Sequence, residues 1–362
     1  MNDPSQRPPA FSGEAAFPEL WAPAPYCPPE TEQWLRLYQA AEKAAHCQAG
    51  RLLKSAGPLL VRLPQRSEPV FVSLLRQKET TPGWNLAIYP GYQSYAGSPS
   101  FNGGDRESPL VSLGRFNGFL CRFPGRKPSI PAAGESPPSE TEEQRQGRFL
   151  CCRAGQTPRP LSAPQAELTI QILTALPPAL LALSQGKLVL AKEQDQLAEC
   201  FYREEEQVWD CRAAAAPLIP LEAKTISIVD ELFIARLKKN KITAAVLELD
   251  VLYLPLPCLN PAGQGAVYPL ACLLADRDGL RIEEQHLFSK DEDVHAVIVA
   301  MLGQYILEKG RPRKLHVRNQ SFKYLLADLC QKLSVGLEAE QGMPAVDGFV
   351  ESIAGYLARG SR

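Results

Sequence analysis

Apolar residues recur along this chain with two different periods, and the switches between them divide it. A segment starting at Thr31 places Trp34, Leu35, Leu37, Tyr38, Ala41 and Ala45 on one stripe at helical spacing, which predicts a helix ending near Gly50. From Leu59 the pattern becomes short and β-rich: LLVRLP, PVFVSLLR and NLAIYPG read as an antiparallel meander, and RFLCCRAG adds a strand. LSAPQAELTIQILTALPPALLAL predicts an apolar helix opening at Ser162, with Pro164 in its first turn and Pro177 and Pro178 kinking or ending it. KLVLAK, ECFYRE and VWDCRAA read as three further strands, the last two joined by a polar EEE turn.

The last third carries the most regular pattern. TISIVDELFIARLKKN predicts an amphipathic helix with basic residues at its end. ITAAVLELDVLYLPLP, AVYPLACLLAD and LRIEEQHLF read as three strands, the latter two joined by a DRDG turn. A helix over DEDVHAVIVAMLGQYILEKG, a strand at RKLHVRN, a helix at QSFKYLLADLCQKL, a strand at VGLEAE and a closing helix at DGFVESIAGYLA follow. Alternation on the first strand puts Leu247, Leu249 and Val251 on one face, opposed on the next strand by Leu270, Cys272 and Leu274. Glu248, Asp250 and Leu252 fall on the other face, which is read as the solvated one.

These elements predict an α+β protein: a Pro-rich flexible arm over 1–29, an N-terminal domain over 30–222 with a mainly antiparallel sheet, and a C-terminal domain over 226–360 with a mixed five-stranded sheet and flanking helices. Residues 125–147, rich in Pro, Ser, Glu and Gly, read as a loop with too little apolar material to pack. The chain has 362 residues, and Lys plus Arg (39) nearly balances Asp plus Glu (40), so no global basic field exists to hold nucleic acid. The first residues lack a charged-then-apolar leader, and no run approaches a bilayer span, so a cytoplasmic protein without a membrane partner is expected. Ten cysteines occur without a C-x-x-C pair, which argues against structural zinc and for reduced thiols acting as small apolar groups.

Three hairpin-joined strands followed by helix, strand, helix, strand, helix resemble the RNase H-like fold. LELDVLYLPL resembles the first strand of its integrase and transposase cores, EKGRPRKLHVRNQSF the approach to their second aspartate, and GMPAVDGFVES the segment with their catalytic glutamate. The resemblance implies Asp250 and Glu351 as acids binding Mg²⁺ or Mn²⁺. The second acid of that pattern should fall at Arg318 or Asn319, and neither is acidic. From about Trp34 onward, the chain also resembles a family of uncharacterised bacterial proteins pairing two domains of unknown function, on PVFVSLLRQ, WNLAIYPGYQSY, YPLACLLADRDGLRI and GRPRKLHVRN.

Several groupings have both a chemical and a packing reading. Arg311, Arg313, Lys314, His316, Arg318 and Lys323, with Phe322 and Tyr324, form the densest basic stretch; Arg311, Arg313, Lys314, Arg318 and Lys323 could contact nucleic-acid phosphates, or be charges around a buried strand. Trp84, Tyr89, Tyr92 and Tyr95 read as an aromatic strand and turn that forms a ligand surface or packs against the first helix. Asp276 and Asp278 fit a turn before Gly279. The four histidines lack ligand spacing, no Ser lies in a nucleophile elbow, and FNGGD lacks the Lys-Ser/Thr of a phosphate loop. The leading expectation is a non-catalytic binding or scaffolding protein with no resident cofactor, its partner left open between a protein and, with less support, nucleic acid. The alternative is a metal-dependent nuclease-like enzyme using Asp250 and Glu351.

Overall fold

The computed structural model describes residues 26–47, 49–64, 66–75, 84–96, 116–123, 149–191, 195–217, 230–259, 266–289, 292–318 and 320–360. Most of the arm, the whole of 125–147, FNGGD, the TISIV part of the expected helix and Asn319 lie outside them.

In the N-terminal half, helices α1 (Thr31–His46) and α2 (Ala49–Ala56) precede β1 (Leu59–Arg62), β2 (Val70–Leu75) and β3 (Trp84–Pro90). Then come α3 (Gly91–Ala96), β4 (Gly118–Phe123), β5 (Phe149–Cys152), β6 (Arg159–Pro160), α4 (Ala163–Ser184), β7 (Gln196–Arg203) and β8 (Val208–Ala215). The eight strands form one sheet in the order β6-β5-β4-β3-β2-β1-β7-β8. Every pairing is antiparallel except β1 with β7, because the crossover through α4 returns the chain in the same direction.

Helices α1, α2 and α4 cover one face of this sheet, with Leu37, Ala41, Leu173 and Leu176 meeting Leu59, Val61, Val72 and Ile88. The other face carries a second cluster of Phe71, Tyr89, Tyr95, Phe116 and Leu120. The expected single first helix is two, separated by a turn at Cys47. The expected strand at KLVLAK is irregular where described, and β7 begins only at Gln196. Pro177 and Pro178 do not end α4, which runs on to Ser184. Leu173, Leu176, Ala179 and Leu180 continue one buried stripe past the prolines, so sheet contact outweighs the lost hydrogen bonds.

Helix α4 is also long and apolar enough to cross a bilayer, unlike the expectation of no such run. More than half of its most apolar window is buried inside the protein. The aromatic segment divides between faces. Trp84 stacks on Phe123 at 3.8 Å on the α1 side, whereas Tyr95, in α3 and not in a strand, stacks on Phe71 at 4.0 Å on the far face.

In the C-terminal half, α5 (Glu231–Lys238), β9 (Val246–Tyr253), β10 (Cys258–Leu259), β11 (Ala266–Val267), β12 (Leu270–Asp276) and β13 (Arg281–Leu287) lead to α6 (Val294–Lys309). Then follow β14 (Lys314–Val317), α7 (Gln320–Leu333), β15 (Gly336–Ala339) and α8 (Pro344–Gly360). The mixed sheet has the order β13-β12-β9-β14-β15; β12 is antiparallel to both neighbours and β14 is parallel to both of its own. Helices α5, α6 and α7 cover the face bearing Leu247, Leu249, Val251, Cys272 and Leu274. Helix α8 covers part of the other, against Leu252, Ala271 and Leu273.

The two sheets meet at a short ribbon. Tyr268 N donates to Gly155 O and Thr157 N to Ala266 O, while Val267 bridges to Gln156. Gly155 has φ +72, and a Cβ there would lie 2.4 Å from the Tyr253 ring, so both the backbone sign and the close approach require glycine.

Leu249 faces Leu274 across the β9–β12 pair and is fully buried. Leu249→Asp is therefore expected to lower unfolding free energy by more than about 3 kcal/mol, since a carboxylate would enter an apolar core. Urea denaturation checks this, and an unchanged midpoint would reject the register.

Candidate functional site

The face of β9 read as solvated is buried: Glu248 and Asp250 both have no exposed surface. The reason is α8, whose first turn sits over them. Pro344 opens this helix three residues earlier than the expected DGF start, at a position where a missing N–H costs little. The free N–H groups of Ala345 and Val346 then donate to Glu248 Oε2 at 3.0 and 3.1 Å. A carboxylate at a helix N-terminus satisfies donors that have no partner within the helix and matches the positive end of its dipole.

Arg318, one residue past β14, inserts beside this contact and is 3% exposed. Its Nε donates to Asp250 Oδ2 at 2.6 Å, Nη2 to Asp347 Oδ1 at 2.7 Å, and Nη1 to the Gln341 carbonyl. Asp347 Oδ2 also accepts the Met343 N–H at 3.1 Å. Strand β9, the end of β14, the loop before α8 and α8 itself are thereby held by one guanidinium.

A second layer lies next to it. Arg277, in the β12–β13 turn, makes a two-pronged contact with Glu340 at 2.6 and 3.1 Å. Its Nε is 3.8 Å from Glu248 Oε1, which has no hydrogen-bond partner. His316, paired in register with Glu248, is buried with Nδ1 3.1 Å from Glu340 Oε2.

Burial sets the electrostatics. It pushes Glu248 above the usual carboxylate range, against the lowering effect of the α8 N–H groups and Arg277. It does the same to Asp347, outweighing Arg318. It pulls His316 below the usual imidazole range, reinforced by Arg277 and opposed by Glu340 and Glu338.

The implied divalent ion does not fit these donors. Asp250 Oδ2 is occupied by a guanidinium, so a positive charge already stands where the cation would bind. Glu351 is exposed, and Asp347, one turn earlier in α8, is the acid that reaches Asp250's partner. Among the described residues, no group of three or more His, Cys, Asp or Glu is arranged to hold a metal.

The basic stretch is not one surface. Arg318 is inside, Arg311 donates to the Asn240 and Leu333 carbonyls, and Lys314 pairs with Glu338 at 2.7 Å. Arg313 is exposed and Lys323 half-buried in α7. Arg318 thus has no surface to offer a phosphate. The sequence reading placed Glu248 beside Asp250 but did not single out Glu248, Arg277, Glu340 or Asp347. The available signal was the pair of acids at alternate positions of an otherwise apolar strand.

Residues 233–354, from within α5 into α8, match a family described as a domain of unknown function (DUF6930). The whole cluster lies inside the match, which spans a minority of the chain. No curated protein and no solved structure matches this chain.

Arg318→Met is expected to cost about 3–5 kcal/mol, because Asp250 and Asp347 would be left buried without a counter-charge. Adding Asp250→Asn and Asp347→Asn should recover part of the loss; urea denaturation of the single and triple variants measures both. A single variant within about 0.5 kcal/mol of wild type would contradict a buried ion cluster.

His316 yields a pH dependence. Its folded pKa lies below its unfolded value of about 6.5, so the stability it contributes is complete above that pH and is lost as pH falls toward the folded value. Glu248 and Asp347, with raised values, act in the opposite sense: what they contribute is complete below their unfolded values and is lost as pH rises toward the folded ones. His316→Gln should show a smaller loss of stability than wild type between pH 7.5 and pH 5.5 in matched denaturant titrations; equal losses would exclude His316 as the source.

Proposed function

We propose that this chain is a non-catalytic binding or scaffolding protein, and that its C-terminal sheet is RNase H-like with the metal-binding acids converted to an ion-paired structural cluster. Numbered from β9 and omitting the β10–β11 ribbon, the strands run 3-2-1-4-5, with the second antiparallel, which supports the RNase H-like assignment. The observation that carries the functional reading is Arg318. A guanidinium bonded to Asp250 and Asp347 neutralises in place the charge that two-metal phosphoryl transfer would use to hold its cations.

The partner class that fits is another protein. Arg318 is turned inward and Lys314 is paired with Glu338, leaving little of the basic stretch to track a phosphate backbone. A cytoplasmic setting agrees with ten free cysteines. The domain matched over 233–354 is, in this reading, the second of two paired in a bacterial family.

The purified chain should show no Mg²⁺- or Mn²⁺-dependent cleavage of single-stranded, duplex or hybrid nucleic acid. Turnover by the wild type that disappears in Asp250→Asn and Glu351→Gln would overturn this reading and establish a metal-dependent nuclease-like enzyme.

A further inference from the structure

Six of the ten cysteines are buried apolar groups, and all ten are free thiols. Two stand in a special relation. Cys200 on β7 and Cys211 on β8 are directly opposite each other in the antiparallel register. Both face the α4 side of the sheet: Cys200 lies in that core and Cys211 packs against it.

Their hydrogen-bond phase matters. Ala216 N donates to Asp195 O at 2.8 Å, just beyond the last register pair, Gln196 with Ala215. Hydrogen-bonded pairs alternate with non-hydrogen-bonded ones along an antiparallel ladder, so counting inward from that pair makes Cys200–Cys211 a non-hydrogen-bonded pair. Two observations agree. Cys211 N donates to Asp210 Oδ1 at 2.8 Å, as an outward-pointing amide of an edge strand can. Tyr202 and Trp209, the next pair of the same phase, bring their rings to 5.3 Å. Opposed residues of this phase have Cα atoms ~4.5 Å apart and side chains close together. A disulfide needs a Cα separation of ~4.4–6.8 Å, so the backbone needs little movement.

We propose that Cys200 and Cys211 are a reversible redox pair, closed by hydroperoxides into a cross-strand disulfide and reopened by dithiols. Cys211 is half-buried on the outermost strand, whereas Cys200 has no exposed surface, so the peroxide reaches Cys211 first. The Cys211 sulfur bonds to the terminal peroxide oxygen, the O–O bond breaks, and the thiol proton leaves with the departing alcohol or water. The Cys200 sulfur then attacks the sulfenyl sulfur; an S–S bond forms, the S–O bond breaks, and water carries off the Cys200 proton. Two electrons pass from two thiols to one peroxide. A dithiol reverses this by two thiol–disulfide exchanges, ending oxidised itself. Burial raises both thiols above the usual range, followed for Cys211 by the nearby Asp210 carboxylate and for Cys200 by Cys211. Closure is therefore slow at neutral pH and should accelerate about tenfold per pH unit while the thiolate is the minor form.

The test uses the full chain, treated with hydrogen peroxide, alkylated with N-ethylmaleimide and digested with trypsin. The expected product is a peptide spanning 193–203 joined to one spanning 204–212, lighter than their sum by two hydrogens and separated by dithiothreitol. Cys200→Ala should leave Cys211 as a sulfenic acid that dimedone traps, which the wild type should not accumulate. The proposal is overturned if Cys200 and Cys211 stay alkylatable while the exposed Cys27 and Cys258 are oxidised. It is equally overturned if Cys211 is joined to another cysteine, or if dimedone labels wild type and variant alike.

Discussion

Arg318 has almost none of its surface in water, and its guanidinium keeps its charge at any ordinary pH. Such a group has to be met by carboxylates and carbonyls in its own fork geometry. Asp250, Asp347 and the Gln341 carbonyl meet it, and they come from the central strand, the last helix and the loop between β15 and that helix. The placement of α8 on the sheet follows from this contact as much as from its apolar stripe. Glu248 adds a second tie by receiving the first free N–H groups of the same helix. The N-terminal end of α8 is thus fixed by charge, and its later turns by Val350 with Phe349 and Ile353 packed beside it.

An ion-paired network of this kind contributes little net stability compared with an apolar core of the same shape, since desolvation offsets most of the attraction. What it supplies is directional: one arrangement of helix on sheet satisfies every fork of the guanidinium. The same geometry is ill suited to an exchangeable divalent ion, because the cation is covalently part of the chain.

The N-terminal sheet handles buried charge differently. Glu199 is buried on β7, but its two partners, Arg62 and Arg212, reach it from half-exposed positions on the flanking strands. Its stability rests instead on apolar layers on both faces, the far one dominated by stacked Phe71 and Tyr95. The short ribbon at Gly155 and Tyr268 joins this sheet to the C-terminal one through backbone hydrogen bonds, with glycine required at 155 for the turn and the close approach of Tyr253.

Local pattern was enough for most elements. The alternation in β9 and β12 located the apolar face of the C-terminal sheet, and the helical stripe from Trp34 to Ala45 located α1, because both periods are set by neighbouring residues alone. The pattern failed where distant packing overrode it. Two prolines did not stop α4, since a continuous buried stripe lay on either side of them; KLVLAK had strand composition, but its described residues form no strand and Leu188 and Leu190 pack against the core instead; and Tyr95 sits in a helix, stacked on Phe71 across a fold the local sequence does not encode. The candidate site divides the same way. Sequence placed Glu248 and Asp250 on one face and noted a cation where an acid was expected. Whether that face met water or α8, and whether Arg318 pointed outward or onto Asp250, depended on segments far along the chain converging, which only the tertiary structure decides.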